Sequence, residues 1–150
     1  VTEIERKWRV TAVPPEAAAW PRERIDQGYL AIQADGGEVR VRRKGERCVL
    51  TVKSRGGLVR DEYEITLTPE QFQTLWPATA GRRVEKTRYR RDGIELDVYT
   101  GALAGLIVAE VEFASETEAA AYDPPPWFGE EVTDELRYRN SALAVDGRPD

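Results

Sequence analysis

Acidic and basic side chains recur two residues apart along much of this chain: Glu3-x-Glu5-x-Lys7, Arg40-x-Arg42, Thr51-x-Lys53, Arg60-x-Glu62-x-Glu64, Lys86-x-Arg88, Glu95-x-Asp97 and Glu110-x-Glu112. In an extended strand that spacing puts both members of a doublet on one face. Glutamates gathered on such a face would be hard oxygen ligands for Mg²⁺ or Mn²⁺. Arginines would offer bidentate hydrogen bonds to phosphate oxygens, and lysines compact positive charge. The chemistry in prospect is that of a polyanion held together with its divalent cation. The bland alternative is a set of solvated strand faces. Opposite charges on neighbouring strands would then form exposed pairs worth about 0.2–1 kcal/mol each, a small return for so many doublets.

Composition narrows the field. The 150 residues suit one domain, 1–150, large enough to bury roughly two thirds of the surface its unfolded chain exposes. Twenty-two basic against 27 acidic side chains give a net charge of −5, which argues against a partner that is a nucleic-acid polymer. There is no histidine, so the serine and cysteine triads that need imidazole are excluded. One cysteine, Cys48, allows no intrachain disulfide and no cysteine-based zinc site. Its apolar register predicts a buried thiol. No apolar run approaches the roughly 18–20 residues of a membrane span, and the first residues do not read as a signal peptide. A cytoplasmic enzyme or binding domain fits, with no membrane partner.

Strands must position the doublets. Glu3 to Val10 alternates, with Glu3, Glu5, Lys7 and Arg9 on one face, Ile4, Trp8 and Val10 on the other, and Arg6 a polar intruder. Pro14-Pro15 breaks the run, leaving room for one helical turn from Glu16 to Trp20. Further strands are expected from Arg24 to Ala34, Glu38 to Lys44, Arg47 to Ser54, Arg60 to Leu67, Arg82 to Arg91, Ile94 to Tyr99 and Leu106 to Ala114. Asp35-Gly-Gly37, Gly45-Glu46, Gly56-Gly57 and Asp92-Gly93 read as turns. Thr68-Pro-Glu-Gln71 is a helix start, with Thr68 as N-cap and Gln71 completing a capping box. A short helix fits Thr117 to Tyr122, and Pro124-Pro-Pro126 is a rigid connector. Thr133 is expected to cap a closing helix running to about Ala144, packed through Leu136, Tyr138 and Leu143.

Eight strands suffice to close a barrel. The expected fold is therefore mainly β: an eight-stranded antiparallel barrel with peripheral helices, one of them C-terminal. Either the apolar faces fill its interior and charge meets solvent, or the charged faces line a polar tunnel. Pattern alone does not decide. The ordered doublets do resemble a known family, the CYTH family of triphosphate tunnel metalloenzymes, from Glu3 to about Leu143. Gln27-Gly-Tyr-Leu30 and Gly105-Leu106 follow in that family's order, and Phe128-Gly-x-Glu131-Val-Thr133 with Tyr138-x-Asn140 resembles the ending of its short bacterial members.

The resemblance implies a tunnel with Mg²⁺ or Mn²⁺ on a carboxylate side and a triphosphate chain on a basic side. Lys7, Arg40, Arg42, Lys53, Lys86 and Arg88 would hold phosphate. Glu3, Glu5, Glu110 and Glu112 would ligate metal, with Glu62 and Glu64 as further candidates. Catalysis would rest on Glu3, Glu5, Lys7, Lys53 and Arg88, supported by Arg60, Glu95 and Asp97. The implied reaction is metal-dependent hydrolysis of inorganic tripolyphosphate. An adenylate cyclase, a nucleoside or thiamine triphosphatase, and a non-catalytic polyphosphate or nucleotide-binding module are the alternatives. Trp20, Trp76, Trp127 and Tyr29 could stack on a substrate ring but are expected mainly to pack. The outward apolar faces leave a homodimer open.

Overall fold

The period-two segments pair into one antiparallel sheet. Its strands are β1 (Ile4–Arg9), β2 (Arg22–Ile32), β3 (Glu38–Lys44), β4 (Arg47–Lys53), β5 (Glu62–Leu67), β6 (Arg83–Arg91), β7 (Ile94–Thr100) and β8 (Ile107–Phe113). Spatial order is β1-β8-β7-β6-β2-β3-β4-β5. The computed structural model describes residues 4–54 and 61–150. Glu3, Arg60 and the Gly56-Gly57 turn lie outside the described residues.

Among the described residues three α-helices accompany the sheet: α1 (Pro69–Leu75), α2 (Glu116–Ala121) and α3 (Asn140–Asp146). The α1 start is the expected capping box. The Gln71 amide donates to Thr68 Oγ1 at 3.1 Å and the Thr68 amide to Gln71 Oε1 at 2.8 Å, so two otherwise orphaned donors are satisfied. Asp92 and Gly93, with φ of 55° and 79°, supply the left-handed pair that a two-residue hairpin between β6 and β7 requires. Among the described residues no helix is long and apolar enough to cross a membrane.

Register fixes which side chains share a face. Lys7 lies opposite Glu110, Glu110 opposite Glu95, Asp97 opposite Arg88, Arg42 opposite Gln27, and Thr51 opposite both Arg40 and Glu64. All the doublets in the described residues therefore fall on one surface. That surface is concave. One cavity is walled by Glu5 and Lys7 of β1 together with Arg40 of β3 and Lys53 of β4, although these strands stand near opposite ends of the sheet order. Normal strand twist curls the sheet round to bring them together. The charged-inward arrangement is the one observed.

The convex side is apolar, and helices and the C-terminal segment cover much of it. Trp8, Val10, Trp20, Leu96, Ala109, Val111 and Phe128 form one buried cluster there, and Val41, Cys48, Leu67 and Phe72 another. Trp20 and Trp127 pack at 6.0 Å between ring centroids, and Phe72 and Trp76 at 5.2 Å. The Cys48 thiol is free and buried. The interior also holds an apolar layer that alternation alone does not reveal. Tyr29, Val84, Tyr99 and Val108 project from the concave face into a cluster with Leu103, Leu106, Val132, Tyr138, Leu143 and Ala144, filling one end of the barrel.

The expected eight-stranded antiparallel fold is observed, nearly closed: among the described residues no hydrogen-bonded ladder joins β1 to β5, which form the two edges. The free edge of β1 is already occupied by the segment from Gly129 to Thr133. Arg9 N donates to Glu130 O, Gly129 N to Arg9 O and Val132 N to Lys7 O, each at 2.8 Å, while Lys7 N donates to Thr133 Oγ1 at 3.1 Å. That last bond explains a correction to the expected closing helix. Thr133 is not a helix cap because its hydroxyl serves Lys7 N and donates to Glu131 Oε2 at 2.6 Å. Instead, a 3₁₀ turn at Leu136–Tyr138 is followed by extended Arg139 (ψ 144°) before α3 begins. Leu136 is 63% exposed and packs nothing, whereas Tyr138 and Leu143 are buried.

Arg6, the polar residue in an apolar register, belongs to the same fastening. Its guanidinium lies 4.8 Å from the Trp8 ring centroid, donates to Glu131 at 2.7 and 2.9 Å, and reaches Ala119 O in α2 at 2.8 Å. Gly129 allows the approach, since a Cβ there would sit 2.5 Å from Arg9 O. Gly129→Ala is expected to lever the segment off β1 and cost about 1–3 kcal/mol. Urea unfolding measures the loss, and hydrogen exchange should show the Arg9 amide losing protection.

Candidate active site

Each doublet's environment follows from its strand. On adjacent β1 and β8, Glu5, Glu110 and Glu112 bring one carboxylate oxygen each within 4.8 Å of the others. Burial, a hydrogen bond to Glu5 and the Glu5 charge push the Glu110 carboxyl up to about 7. Such crowding is relieved either by a shared proton or by a cation. Three hard oxygen donors on rigid strands fit a divalent metal. Glu62 and Glu64 stand elsewhere, on edge strand β5, and are exposed. Glu64 lies 3.6 Å from Arg47 and accepts from Thr51 Oγ1 at 3.5 Å.

The basic wall is built around Asp97. Its side chain and that of Lys86 are each only 4% exposed, with Lys86 Nζ 2.8 Å from Asp97 Oδ2. Arg88 grips the same carboxylate with two bonds, Nε to Oδ1 at 2.8 Å and Nη2 to Oδ2 at 3.0 Å. Burial pushes the Asp97 carboxyl up, but Lys86 and Arg88 overcome it and hold it at about 2. Glu95 accepts from Arg90 at 3.1 Å and Arg88 at 3.4 Å. Among the described residues, Glu95 and Asp97 thus orient bases and lie outside the carboxylate cluster.

Arg42 is different. Among the described residues it has no ion pair, and its Nε is buried without a hydrogen-bond partner. Burial, Arg88 and Arg40 lower its pKa, the sign of a positive site awaiting an anion. Arg40 Nε is likewise buried without a partner, although Arg40 Nη1 lies 3.9 Å from Glu38. Lys7 Nζ is 4.0 Å from Glu5. Lys53 joins Lys7, Arg40 and Glu5 in lining a cavity of about 520 Å³.

The match to the CYTH domain model spans residues 2–143. The chain belongs to the CYTH domain family. It is 53% identical over 151 residues to an inorganic triphosphatase of Nitrosomonas europaea, covering 97% of this chain and 98% of that protein. It is 36% identical to an inorganic triphosphatase of Acetivibrio thermocellus, covering 94% and 92% respectively. A crystal structure of an inorganic triphosphatase superposes with a TM-score of 0.82 at 49% identity, covering 97% of this chain and 95% of that one. CYTH tunnel enzymes use divalent metals, and the Glu5–Glu110–Glu112 cluster is where the donor set of this CYTH chain fits one.

Some of the site escaped sequence reasoning. Glu38 shares the face of Arg40 and Arg42, so its strand register signalled it. Tyr29 also lines the cavity, where its hydroxyl accepts from Gln27 Nε2 at 2.8 Å. Arg139, Asn140 and Ser141 complete the lining but sit outside any strand, where no alternation points to them.

Two outcomes are expected. Asp97→Asn leaves Lys86 buried with no compensating charge, so it should destabilise the fold by about 3–5 kcal/mol, read from chemical denaturation. The second concerns pH. Because the folded Glu110 pKa lies above its unfolded value, its contribution to stability is present in acid and is lost as pH rises through about 7. With no histidine in the chain, few other side chains titrate in that window. In EDTA the melting midpoint should fall between pH 5.5 and 7.5. Glu110→Gln should flatten that slope.

Proposed function

We propose that this chain is an inorganic triphosphatase, hydrolysing tripolyphosphate with Mg²⁺ or Mn²⁺ at the Glu5–Glu110–Glu112 cluster. The observation that carries the reading is the placement of Arg40 and Arg42, each with a buried Nε that has no hydrogen-bond partner, on the same concave face as three crowded carboxylates. A strand surface made only for solubility would pair or expose those groups. The names of the two relatives, each aligned over nearly its whole length, point to the same activity.

The geometry supports a division of labour. Arg40, Arg42, Lys7 and Lys53 bind phosphate oxygens, replacing weak pairs such as Arg40–Glu38 and Lys7–Glu5. Lys86 and Arg88 are fixed in advance by Asp97, so little reorganisation is needed as charge shifts toward the leaving diphosphate. Water attacks the terminal phosphorus and passes its proton to a cluster carboxylate, the bridging P–O bond breaks, and the bases stabilise the diphosphate that departs. A bound divalent cation supplies neutralisation and polarisation of phosphate oxygens. Burial and the neighbouring Glu5 favour the protonated form of the Glu110 carboxyl.

An inorganic chain suits the cavity better than a nucleotide or thiamine ester. No tryptophan is among its lining residues, and the aromatic that is, Tyr29, is buried and engaged by Gln27. A stacking platform would need an exposed ring face. The cytoplasm is the proposed compartment, in keeping with an unpaired thiol at Cys48.

The test is phosphate release from tripolyphosphate, ATP and thiamine triphosphate side by side, with Mg²⁺, Mn²⁺ or EDTA. Release should be strongest from tripolyphosphate and abolished by EDTA. Glu110→Gln should reduce turnover by at least about 100-fold, the upper range for disturbing a metal's supporting groups. Binding of tripolyphosphate without release of phosphate under any metal would instead identify a binding module.

A further inference from the structure

One side of the cavity lined by Glu5, Lys7, Arg40 and Lys53 is supplied by no strand. Arg139, Asn140 and Ser141 line it there, facing the wall that contains Lys7, Arg40 and Lys53. The backbone on either side of Arg139 is pinned. Tyr138 and Leu143 are both buried in the apolar cluster that fills one end of the barrel. The Tyr138 hydroxyl accepts from Arg9 Nη1 at 3.1 Å, and Leu143 N donates to Arg139 O at 2.9 Å. Between those anchors the Arg139 side chain is exposed and makes no hydrogen bond or ion pair among the described residues.

Its neighbours behave otherwise. Arg9 and Arg148 each reach Asp150 at 2.8 Å, and Arg137 reaches Glu135 at 2.8 Å. An arginine left unpaired among paired ones, on a fixed backbone and beside a cavity of about 520 Å³ that Lys7, Arg40 and Lys53 also line, has the features of an anion ligand. Its planar guanidinium can take two oxygens of one phosphoryl group. We infer that Arg139 is an additional substrate-binding residue, contacting phosphate oxygens of the bound chain from the side that the sheet leaves open. The inference rests on the triphosphate reading and adds to the strand doublets a ligand delivered by the C-terminal segment.

Calorimetric titration of the full chain with tripolyphosphate in EDTA measures binding without turnover. Arg139→Ala should weaken binding about tenfold, the lower end for a hydrogen bond between charged groups, and Arg139→Lys should restore part of it. With Mg²⁺ present, KM for tripolyphosphate should rise while kcat stays within about twofold. Thermal midpoints of Arg139→Ala and Arg139→Gln should match the parent, since the side chain supports no fold contact. Equal affinity of Arg139→Ala and a wild-type protein that binds and cleaves tripolyphosphate would overturn the inference. A wild type that neither binds nor cleaves it would overturn the triphosphate reading, and this ligand with it.

Discussion

A single enclosed carboxylate sets the electrostatics of the barrel. Asp97 neutralises Lys86 outright and clamps Arg88 through both of its oxygens. Two cations could not otherwise be held so far from water, because desolvation costs several kcal/mol per ion. With Asp97 shared by Lys86 and Arg88, and Glu95 by Arg88 and Arg90, acids are outnumbered on this wall and the local sum stays positive. Arg42 sits in the resulting field and keeps an unsatisfied Nε. On β1 and β8 the balance tips the other way, where Glu5, Glu110 and Glu112 bring their carboxylates together. The chamber therefore has one wall rich in bases and one rich in carboxylates. The two walls are complementary to a phosphate chain and to a divalent cation respectively.

Much of this arrangement could be read from the sequence because its signal is local. Alternation located all eight strands, although β2 spans Arg22–Ile32 and not Arg24 to Ala34. The Thr68 capping box and the Asp92-Gly93 turn were legible because each depends on side chains within four residues. The doublets could be placed on one face for the same reason. What local patterning could not tell is which face is concave, since curl is a property of the assembled sheet. It also could not show that β1's edge is taken by residues beyond 128. Arg6 was the visible clue: a charge in an apolar register usually has a distant partner, here Glu131.

The C-terminal segment does more than cover an edge. From Gly129 to Thr133 it pairs with β1, and from Tyr138 to Ala144 it fills one end of the interior. Thr133 looked like a helix cap because threonine before an acidic stretch has that form. Its hydroxyl was claimed instead by the Lys7 amide, a tertiary demand overriding a local preference. The same requirement explains Arg139, whose extended backbone separates the 3₁₀ turn from α3. A continuous helix would have carried that residue round to another face.

A sheet sealed into a barrel has a bore fixed by its strand number and stagger. Here no ladder joins β1 to β5 among the described residues, so no such integer governs the chamber. Glu5 stands on one lip of the gap, Glu62 and Glu64 on the other. The bore is set instead by the curl of the sheet and by what is wedged into it: the Tyr29–Leu143 cluster plugs one end, and Gly129–Thr133 stiffens the β1 lip.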